Sequence, residues 1–235
     1  ILIKGFIRNT FLDWEGKISS VIFLPNCNWR CLYCHAKKLV QASHELETIS
    51  FDTVYNFLKE KKDWIDGIVI CGGEPLLYKE ISEFIKKFKD LGLQVKLDTN
   101  GAFPEILKGL IDNKLIDYIA MDIKAPLNKK KYKNITARDV DTDIIKKTID
   151  IIMSSGIDYE FRTTVSKKWI SHKDILDIAR DIKGAKKYYL QKFRYVPEEI
   201  MDSSIPAVIP NDFTPDELEG AAKEAGEFVK FCAVR

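Results

Sequence analysis

Residues 67–75 read Gly-Ile-Val-Ile-Cys-Gly-Gly-Glu-Pro, an apolar run that ends in two glycines, a carboxylate and a proline. The run predicts a short buried strand, and Pro75 suits the first turn of a following helix. From Ile81 to Phe88, apolar residues recur with the i, i+3, i+4, i+7 spacing of a helix that buries one face. This stretch therefore predicts one strand-then-helix unit.

The same unit recurs along the chain. Strands are predicted at Ile18–Leu24, Gly67–Cys71, Leu93–Asp98, Asp117–Ile123, Asp158–Val165 and Lys187–Phe193. Helical patterns lie between them, at Phe51–Leu58, Ile81–Phe88, Glu105–Ile111, Asp143–Met153 and Lys173–Ile182. This alternation implies right-handed βαβ units around a parallel sheet. A closed eight-unit barrel needs about 250 residues, so six units predict an incomplete (β/α)6 barrel of the TIM type, open on one side.

We expect one domain over residues 1–235. Residues 1–16 form an N-terminal extension, expected to be a hairpin across one end, residues 17–193 the barrel core and residues 194–235 a C-terminal segment. That segment carries a final helix, because Thr214, Pro215 and Glu217 make a capping box with proline in the first turn. Its predicted buried face consists of Leu218, Ala221, Ala222, Ala225, Phe228 and Val229.

Composition excludes several classes of protein. Hydrophobic residues make up 46% of the chain, enough for a core, and 37 basic residues against 35 acidic ones argue against nucleic-acid binding. No apolar run reaches the length of about 18 residues that a membrane helix needs. Residues 1–6 are too short for a signal peptide, so we expect a cytoplasmic protein. The run Lys129, Lys130, Lys131 and Lys133 predicts a solvated loop, with a docking patch for an acidic partner as the alternative.

Three cysteines follow the first predicted strand, in Cys27-Asn-Trp-Arg-Cys31-Leu-Tyr-Cys34. Thiolates at this spacing hold an iron–sulfur cluster or zinc. Closed structural zinc needs four ligands, whereas the loop supplies three, and His35 is poorly placed as a fourth. Three thiolates on a four-iron cluster leave one iron open to a small molecule that bears an amine and a carboxylate. An odd total of five cysteines argues against a disulfide framework.

The second predicted strand ends at the glycine pair. Gly72 and Gly73 allow close backbone approach to a ligand, and the Glu74 carboxylate can accept from an ammonium group. The alternative is an ordinary strand-to-helix turn. Cys71 is a possible fourth metal ligand, although a packed core thiol is favoured.

Polar residues also end the next three predicted strands. They are Asp98-Thr99-Asn100-Gly101, Met121-Asp122-Ile123-Lys124 and the Arg162 region of Phe161-Arg162-Thr163-Thr164. Parallel strands of a barrel place their C-terminal ends on one face, where the chemistry lies. The sequence therefore predicts a single active site on the face that carries the cysteines.

The cysteine loop followed by Gly-Gly-Glu-Pro resembles the radical S-adenosylmethionine (SAM) enzymes. The stretches GFIRNTFLDWEGKI, LQVKLDTNGAFPEIL, IDYIAMDIKAP and GIDYEFRTTV look like the anaerobic ribonucleoside-triphosphate reductase activating proteins. Pyruvate formate-lyase activating enzymes are near relatives of that group. The resemblance runs from Gly5 to about Phe193 and is less clear after Ile200.

The resemblance implies cofactor contacts. Cys27, Cys31 and Cys34 would ligate a [4Fe–4S] cluster whose open iron binds the amine and carboxylate of SAM. Tyr33 would lie against the adenine. The other implied SAM contacts are Gly72, Gly73 and Glu74 at the methionine end, and Asp98, Asn100, Lys124 and Arg162.

The resemblance also implies a monovalent cation, as in the pyruvate formate-lyase activating type. Its ligands would be Asp98, Thr99, Asp122 and the backbone carbonyl of Ala120. The family loop often continues Cys-His-Asn-Pro, whereas here Cys34 is followed by His-Ala-Lys, which would alter how the loop meets the partner. No cysteine-rich insertion precedes Gly72, so one cluster is predicted.

The implied activity is activation of a glycyl-radical enzyme. A ferredoxin or flavodoxin would reduce the cluster, SAM would be cleaved, and a 5′-deoxyadenosyl radical would take hydrogen from a glycine of the partner, here anaerobic ribonucleotide reductase. One alternative is a radical SAM enzyme that acts on a small molecule or peptide. A second is a non-catalytic iron–sulfur or zinc module for electron transfer or assembly, which predicts a fourth ligand and no SAM binding.

Overall fold

The computed structural model describes every residue from Ile1 to Arg235. The chain divides into two compact units. The first contains Ile1–Asn28, Ala36–Thr99 and Glu105–Ile119, and the second contains Trp29–His35, Asn100–Pro104 and Ala120–Arg235. The strands follow one another in chain order, from β1 to β8, in one open α/β sheet.

In the first unit, four strands are β1 (Gly5–Thr10), β2 (Ser19–Leu24), β3 (Gly67–Gly72) and β4 (Gln94–Thr99). β1 runs antiparallel to β2, whereas β2 with β3 and β3 with β4 are parallel. The helices are α1 (Lys37–Gln41), α2 (Phe51–Lys61), α3 (Ile81–Lys89) and α4 (Pro104–Asp112), with 3-10 turns at Ser43–Glu45 and Pro75–Leu77. Helix α3 buries Ile81, Phe84, Ile85 and Phe88, the four positions that the spacing predicted.

Trp14, in the turn after β1, fills the core between the strands of the first unit. Its side chain is buried against Val21 and Val69, and its ring centroid lies 5.8 Å from that of Tyr118. The buried Lys96 ammonium donates to the carbonyl of Asp13 over 2.5 Å and so holds this turn in place. The N-terminal segment therefore contributes to the core and is part of the folded unit.

The strand β5 (Tyr118–Asp122) begins in the first unit and ends in the second, which also contains β6 (Asp158–Val165), β7 (Tyr188–Lys192) and β8 (Cys232–Val234). β7 is parallel to both β6 and β8. The helices are α5 (Lys129–Thr136), α6 (Thr142–Ser154), α7 (His172–Asp181) and α8 (Pro215–Ala225). None of the helices of the protein combines the length and apolar character needed to cross a bilayer.

All six predicted parallel strands are confirmed as β2 to β7, with ends that shift by one residue or none. The hairpin expected within residues 1–16 is not formed, since that segment contributes the single strand β1. This strand pairs antiparallel with β2, the first strand of the predicted core. Strand β8 was not predicted, because three half-buried residues give too short a pattern to recognise.

Two other predictions are wrong. The lysine run lies in helix α5, and not in a loop. The side chain of Asn128 accepts from the backbone N–H of Lys131 at the start of this helix, and one helix face is buried through Tyr132, Ile135 and Thr136. Helix α8 has both halves of its capping box, but it ends at Ala225. Phe228 and Val229 therefore lie beyond the helix, and Phe228 is only half-buried.

We expect Trp14→Ala to lower the free energy of unfolding by about 3–5 kcal/mol, the usual cost of removing a buried aromatic side chain. The matched control is Trp64→Ala, because Trp64 is 77% exposed and surface substitutions change stability by no more than about 0.5 kcal/mol. Denaturant unfolding measures both variants. Equal losses would contradict the assignment of Trp14 to the core.

Candidate active site

The first part of the cysteine loop, Leu24–Asn28, is held by the turn after β3. The backbone of Gly73 donates to the carbonyl of Leu24, and that of Glu74 donates to the carbonyl of Asn26, each over 2.8 Å. These two bonds continue the pairing of β2 with β3 past the ends of the strands. They fix the chain that leads into Cys27.

The glycine pair makes that contact sterically possible. Gly72 has a φ of +119°, and a Cβ there would lie 2.3 Å from the carbonyl oxygen of Leu24. A Cβ on Gly73 would lie 1.7 Å from the carbonyl oxygen of Asn26. The glycines therefore allow close approach of the protein's own loop, and their contact with SAM stays a prediction.

The second part of the loop, Trp29–His35, is held by helix α5. The backbone N–H groups of Arg30 and Leu32 donate to the carbonyls of Thr136 and Ile135, over 2.9 and 3.0 Å. These carbonyls belong to the last turn of the helix, where carbonyl groups have no hydrogen-bond donor within the helix itself. The Trp29 ring packs edge-on against Tyr132 of the same helix.

The segment after β7 covers this part of the loop. The backbone of Met201 donates to the carbonyl of Cys34, and that of Asp202 donates to the carbonyl of Leu32. The Nε2 atom of His35 donates to the carbonyl of Arg194 over 2.6 Å, and its ring stacks on Phe193. His35 is thereby tied to the segment that follows β7.

The donor set of the loop fits an iron–sulfur cluster. Cys31 is buried, Cys27 and Cys34 are half-buried, and no cysteine of the protein forms a disulfide. The three thiols lie within eight residues of one loop and are the soft donors that an iron–sulfur cluster takes.

The buried Glu74 carboxylate lies between its own turn and the end of β4. Its Oε1 atom accepts from the backbone of Leu76 over 3.1 Å and from the hydroxyl of Thr99 over 2.8 Å. Glu74 is fully buried, so these bonds satisfy a group that is costly to desolvate. Nearby on β4, the Oδ1 atom of Asp98 lies 3.9 Å from the ammonium of Lys96.

Asp122, Lys124 and Arg162 form a half-buried ion cluster in the second unit. Asp122 accepts from Nζ of Lys124 over 2.9 Å and from Nε of Arg162 over 2.8 Å, one bond to each carboxylate oxygen. Burial disfavours the charged form of Asp122, but the neighbouring Arg162 and Lys124 cations outweigh it and hold the pKa of this carboxyl well below its usual range. Burial likewise acts against the charge of Lys124, yet the Asp122 carboxylate raises the pKa of that ammonium well above its usual value.

Tyr33 and Asn100 are also in the second unit. The Tyr33 ring lies 5.8 Å from Nζ of Lys124 and packs edge-on against Trp169. Its hydroxyl is buried without a hydrogen-bond partner, and burial raises the pKa of Tyr33 strongly. The Asn100 side chain is buried and accepts from the backbone of Ala102 over 2.9 Å.

Within the units, Thr99 and Asp122 are the last residues of β4 and β5, whereas Arg162 lies inside β6. Glu74 and Thr99 are in contact in the first unit, and Lys124, Asp122 and Arg162 are in contact in the second. A cation at Asp98, Thr99 and Asp122 stays a prediction, and both oxygens of Asp122 already accept from cationic side chains.

Sequence reasoning missed two charged residues beside this cluster, Glu160 and Arg235. Glu160 is 2% exposed and lies two positions before Arg162 on β6, so both side chains share one face of the strand. That spacing was a usable signal. Arg235 follows β8, the strand that was not recognised.

Residues 21–182 match the family model described as the Radical SAM superfamily. A Methanocaldococcus jannaschii protein provisionally named as a glycyl-radical enzyme activating enzyme is 34% identical over 236 residues, which cover 97% of this chain and 92% of that protein.

Two solved structures show the fold. Streptococcus suis SuiB bound to S-adenosylmethionine has a TM-score of 0.68 at 15% identity, over 92% of this chain and 51% of SuiB. A domain of the Bacteroides vulgatus pyruvate-formate lyase-activating enzyme has a TM-score of 0.56 at 17% identity, over 72% of this chain and 98% of that domain. The predicted α/β class of the sheet is therefore confirmed.

The first prediction from the site concerns the cluster ligands. Anaerobically reconstituted protein should contain about four irons and four sulfides per chain, and replacing Cys27, Cys31 or Cys34 with Ala should abolish this content. The matched controls are Cys71→Ala and Cys232→Ala, which should retain it. Loss of the cluster in the Cys71 variant would show a fourth thiolate ligand.

The second concerns the glycine pair. Gly73→Ala should lower the free energy of unfolding by about 1–3 kcal/mol or more, as overpacking does, because its Cβ would overlap a backbone carbonyl that cannot rotate away. It should also reduce the iron content. Gly109→Ala is the control, since a Cβ there meets nothing within 4 Å and alanine favours a helix by about 1 kcal/mol. Denaturant unfolding and iron analysis distinguish the two, and a stable, iron-replete Gly73 variant would refute the steric argument.

Proposed function

We propose that this chain, which belongs to the radical SAM superfamily, is a glycyl-radical enzyme activating enzyme. Membership rests on the family match over residues 21–182. The cofactors of the chain are accordingly a [4Fe–4S] cluster and SAM. The observation that carries the activase proposal is the 34% identity with the provisionally named activating enzyme across nearly the whole of both chains.

The finer proposal is that the partner is an anaerobic ribonucleotide reductase and the electron donor a ferredoxin or flavodoxin, in the cytoplasm. When bound, the two cofactors would supply one-electron reductive cleavage of SAM and abstraction of a hydrogen atom from a glycine Cα of the partner. The residues of the chain supply binding, orientation and exclusion of water.

In this proposal the cysteine loop holds the cluster through Cys27, Cys31 and Cys34. Support comes from the hydrogen bonds that fix the loop backbone on either side of Asn28, since a site with fixed ligands binds without further ordering. The five cysteines of the chain leave only Cys71 and Cys232 outside the loop, too few for a second cluster of the usual four-thiolate kind.

The proposed SAM contacts divide by charge. Lys124 and Arg162 are cations held beside Asp122 and would bind a carboxylate, while Asp98 and Glu74 would accept from an ammonium or a hydroxyl. Tyr33 would present its ring to the adenine. Gly72, Gly73 and Asn100 would contact the ligand through backbone or amide groups.

A reaction with the partner tests the function. We expect dithionite-reduced, reconstituted enzyme with SAM and an anaerobic ribonucleotide reductase to give a glycyl-radical signal on the reductase by electron paramagnetic resonance. We also expect 5′-deoxyadenosine at no more than one equivalent per radical site, apart from uncoupled cleavage. The Cys31→Ala variant, which lacks a cluster ligand, is the negative control.

The partner's own radical glycine separates the outcomes. Its replacement by Ala should erase the stable signal while some SAM cleavage remains. A radical on another glycyl-radical enzyme, but not on the reductase, would keep the activase function and refute the partner. Catalytic consumption of a small metabolite, with no protein radical, would replace the activase with an enzyme that acts on small molecules.

A further inference from the structure

Beside the ion cluster, a second ion pair is buried in the same unit. The Glu160 carboxylate is 2% exposed, and Nη1 of Arg235 donates to its two oxygens over 3.1 and 3.2 Å. The Arg235 guanidinium lies 3.4 Å from the ring centroid of Tyr189, which is itself buried. This stacking fixes the plane of the guanidinium as well as its position.

Glu160 links this pair to the site. Its Oε1 atom lies 3.8 Å from Nη1 of Arg162, whose Nε donates to Asp122. Different nitrogens of the Arg162 guanidinium therefore face two carboxylates, Asp122 through a hydrogen bond and Glu160 at ion-pair distance. Attraction to the second carboxylate restricts the orientation of the guanidinium further than the single hydrogen bond does.

Along this series of ion pairs, the charges alternate. From Lys124 the order is cation, carboxylate, cation, carboxylate, cation, through Asp122, Arg162 and Glu160 to Arg235. Among these five side chains, three cations and two carboxylates leave one positive charge in excess. Lys124 and Arg162 both bond to Asp122, so they lie close together, and one anionic group beside them would balance the excess charge.

Arg235 and the Tyr189 ring on which it stacks lie outside the part of the chain that the family model matches. The family match ends at residue 182, whereas Tyr189 is on β7 and Arg235 follows β8. Backbone bonds between β7 and the end of β8 keep Arg235 in place, since its N–H donates to the carbonyl of Leu190 and its carbonyl accepts from Lys192.

We propose that Glu160 and Arg235 are positioning residues that set the orientation of Arg162 for binding the carboxylate of SAM, so that β8 completes the cofactor site. This rests on the proposed role of Arg162 as a SAM contact. Arg235 neutralises Glu160 and keeps it from drawing Arg162 away from Asp122. Neither residue needs to touch SAM.

The test compares SAM affinity with stability in four proteins. Reconstituted wild type, Arg235→Gln, Glu160→Gln and the double variant Glu160→Gln/Arg235→Gln are titrated with SAM by equilibrium dialysis, and the melting temperature of each is measured without SAM. Arg235→Gln should lose both stability and affinity, because Glu160 loses a cation that is bonded to both its oxygens. The double variant should recover most of the melting temperature, since no unmatched charge stays buried.

The SAM affinity of the double variant decides the question. We expect it to remain about tenfold weaker than wild type, the scale of one lost charge-assisted hydrogen bond. Recovery of wild-type affinity would show that Glu160 and Arg235 only neutralise each other's charge and do not position Arg162, and would overturn the proposal. Asp158→Asn is the matched control, because Asp158 lies on the same strand in an exposed pair with Lys186 and should change neither quantity.

A further variant shows whether the effect passes through Arg162. In an Arg162→Met background, Glu160→Gln should cause no additional loss of SAM affinity, because residues that act through one another are not additive. An undiminished loss in that background would refute the positioning role. If wild type itself bound no SAM, the proposed function would fail first, and this inference with it.

Discussion

The first unit depends on two residues without side chains, Gly72 and Gly73. They lie where the turn after β3 contacts the backbone of Leu24 and Asn26, which follows β2. Parallel strands lie about 4.8 Å apart, and here their pairing continues beyond both strands into Leu24–Asn26. At Gly73 the opposing atom is a carbonyl oxygen, so a larger residue cannot be accommodated by a rotamer change. The position of Cys27 is consequently set by the sheet.

The rest of the cysteine loop depends on a different kind of support. The last carbonyls of a helix need donors from outside the helix, and helix α5 receives them from Arg30 and Leu32. This explains why a lysine-rich stretch is ordered. Its lysines stay mostly exposed, while Tyr132 packs against Trp29 of the loop. The loop is thus supported in each unit by backbone hydrogen bonds, which any sequence could make if the chain approached closely enough.

The sequence could predict the elements that follow from local residue patterns, but not those that depend on contacts between distant parts of the chain. Strands β2 to β7 are runs of apolar residues with clear ends, and α3 repeats at helical spacing, so local patterns were enough to identify them. The cysteine spacing and the Gly-Gly-Glu-Pro turn likewise identified the candidate site. Helix α5 was missed because lysines and asparagines dominate its composition, and its order comes from a capping residue and from contacts distant in sequence. The close approach of the loop to the glycine pair was missed for a similar reason, since a sequence shows that space is required but not what occupies it.

The charged residues of the second unit are poorly explained by stability alone. Replacing a buried ion pair with apolar residues of similar volume is often neutral or stabilising, so a fold gains little from holding Lys124, Asp122, Arg162 and Glu160 in partly desolvated positions. Each is at least partly desolvated, and each has an oppositely charged neighbour. The free-energy cost of desolvating these side chains is therefore part of folding. Less of that cost then opposes the binding of a charged ligand. A binding site for a zwitterionic cofactor needs this property, because water and loosely held side chains would otherwise compete for both of its charges.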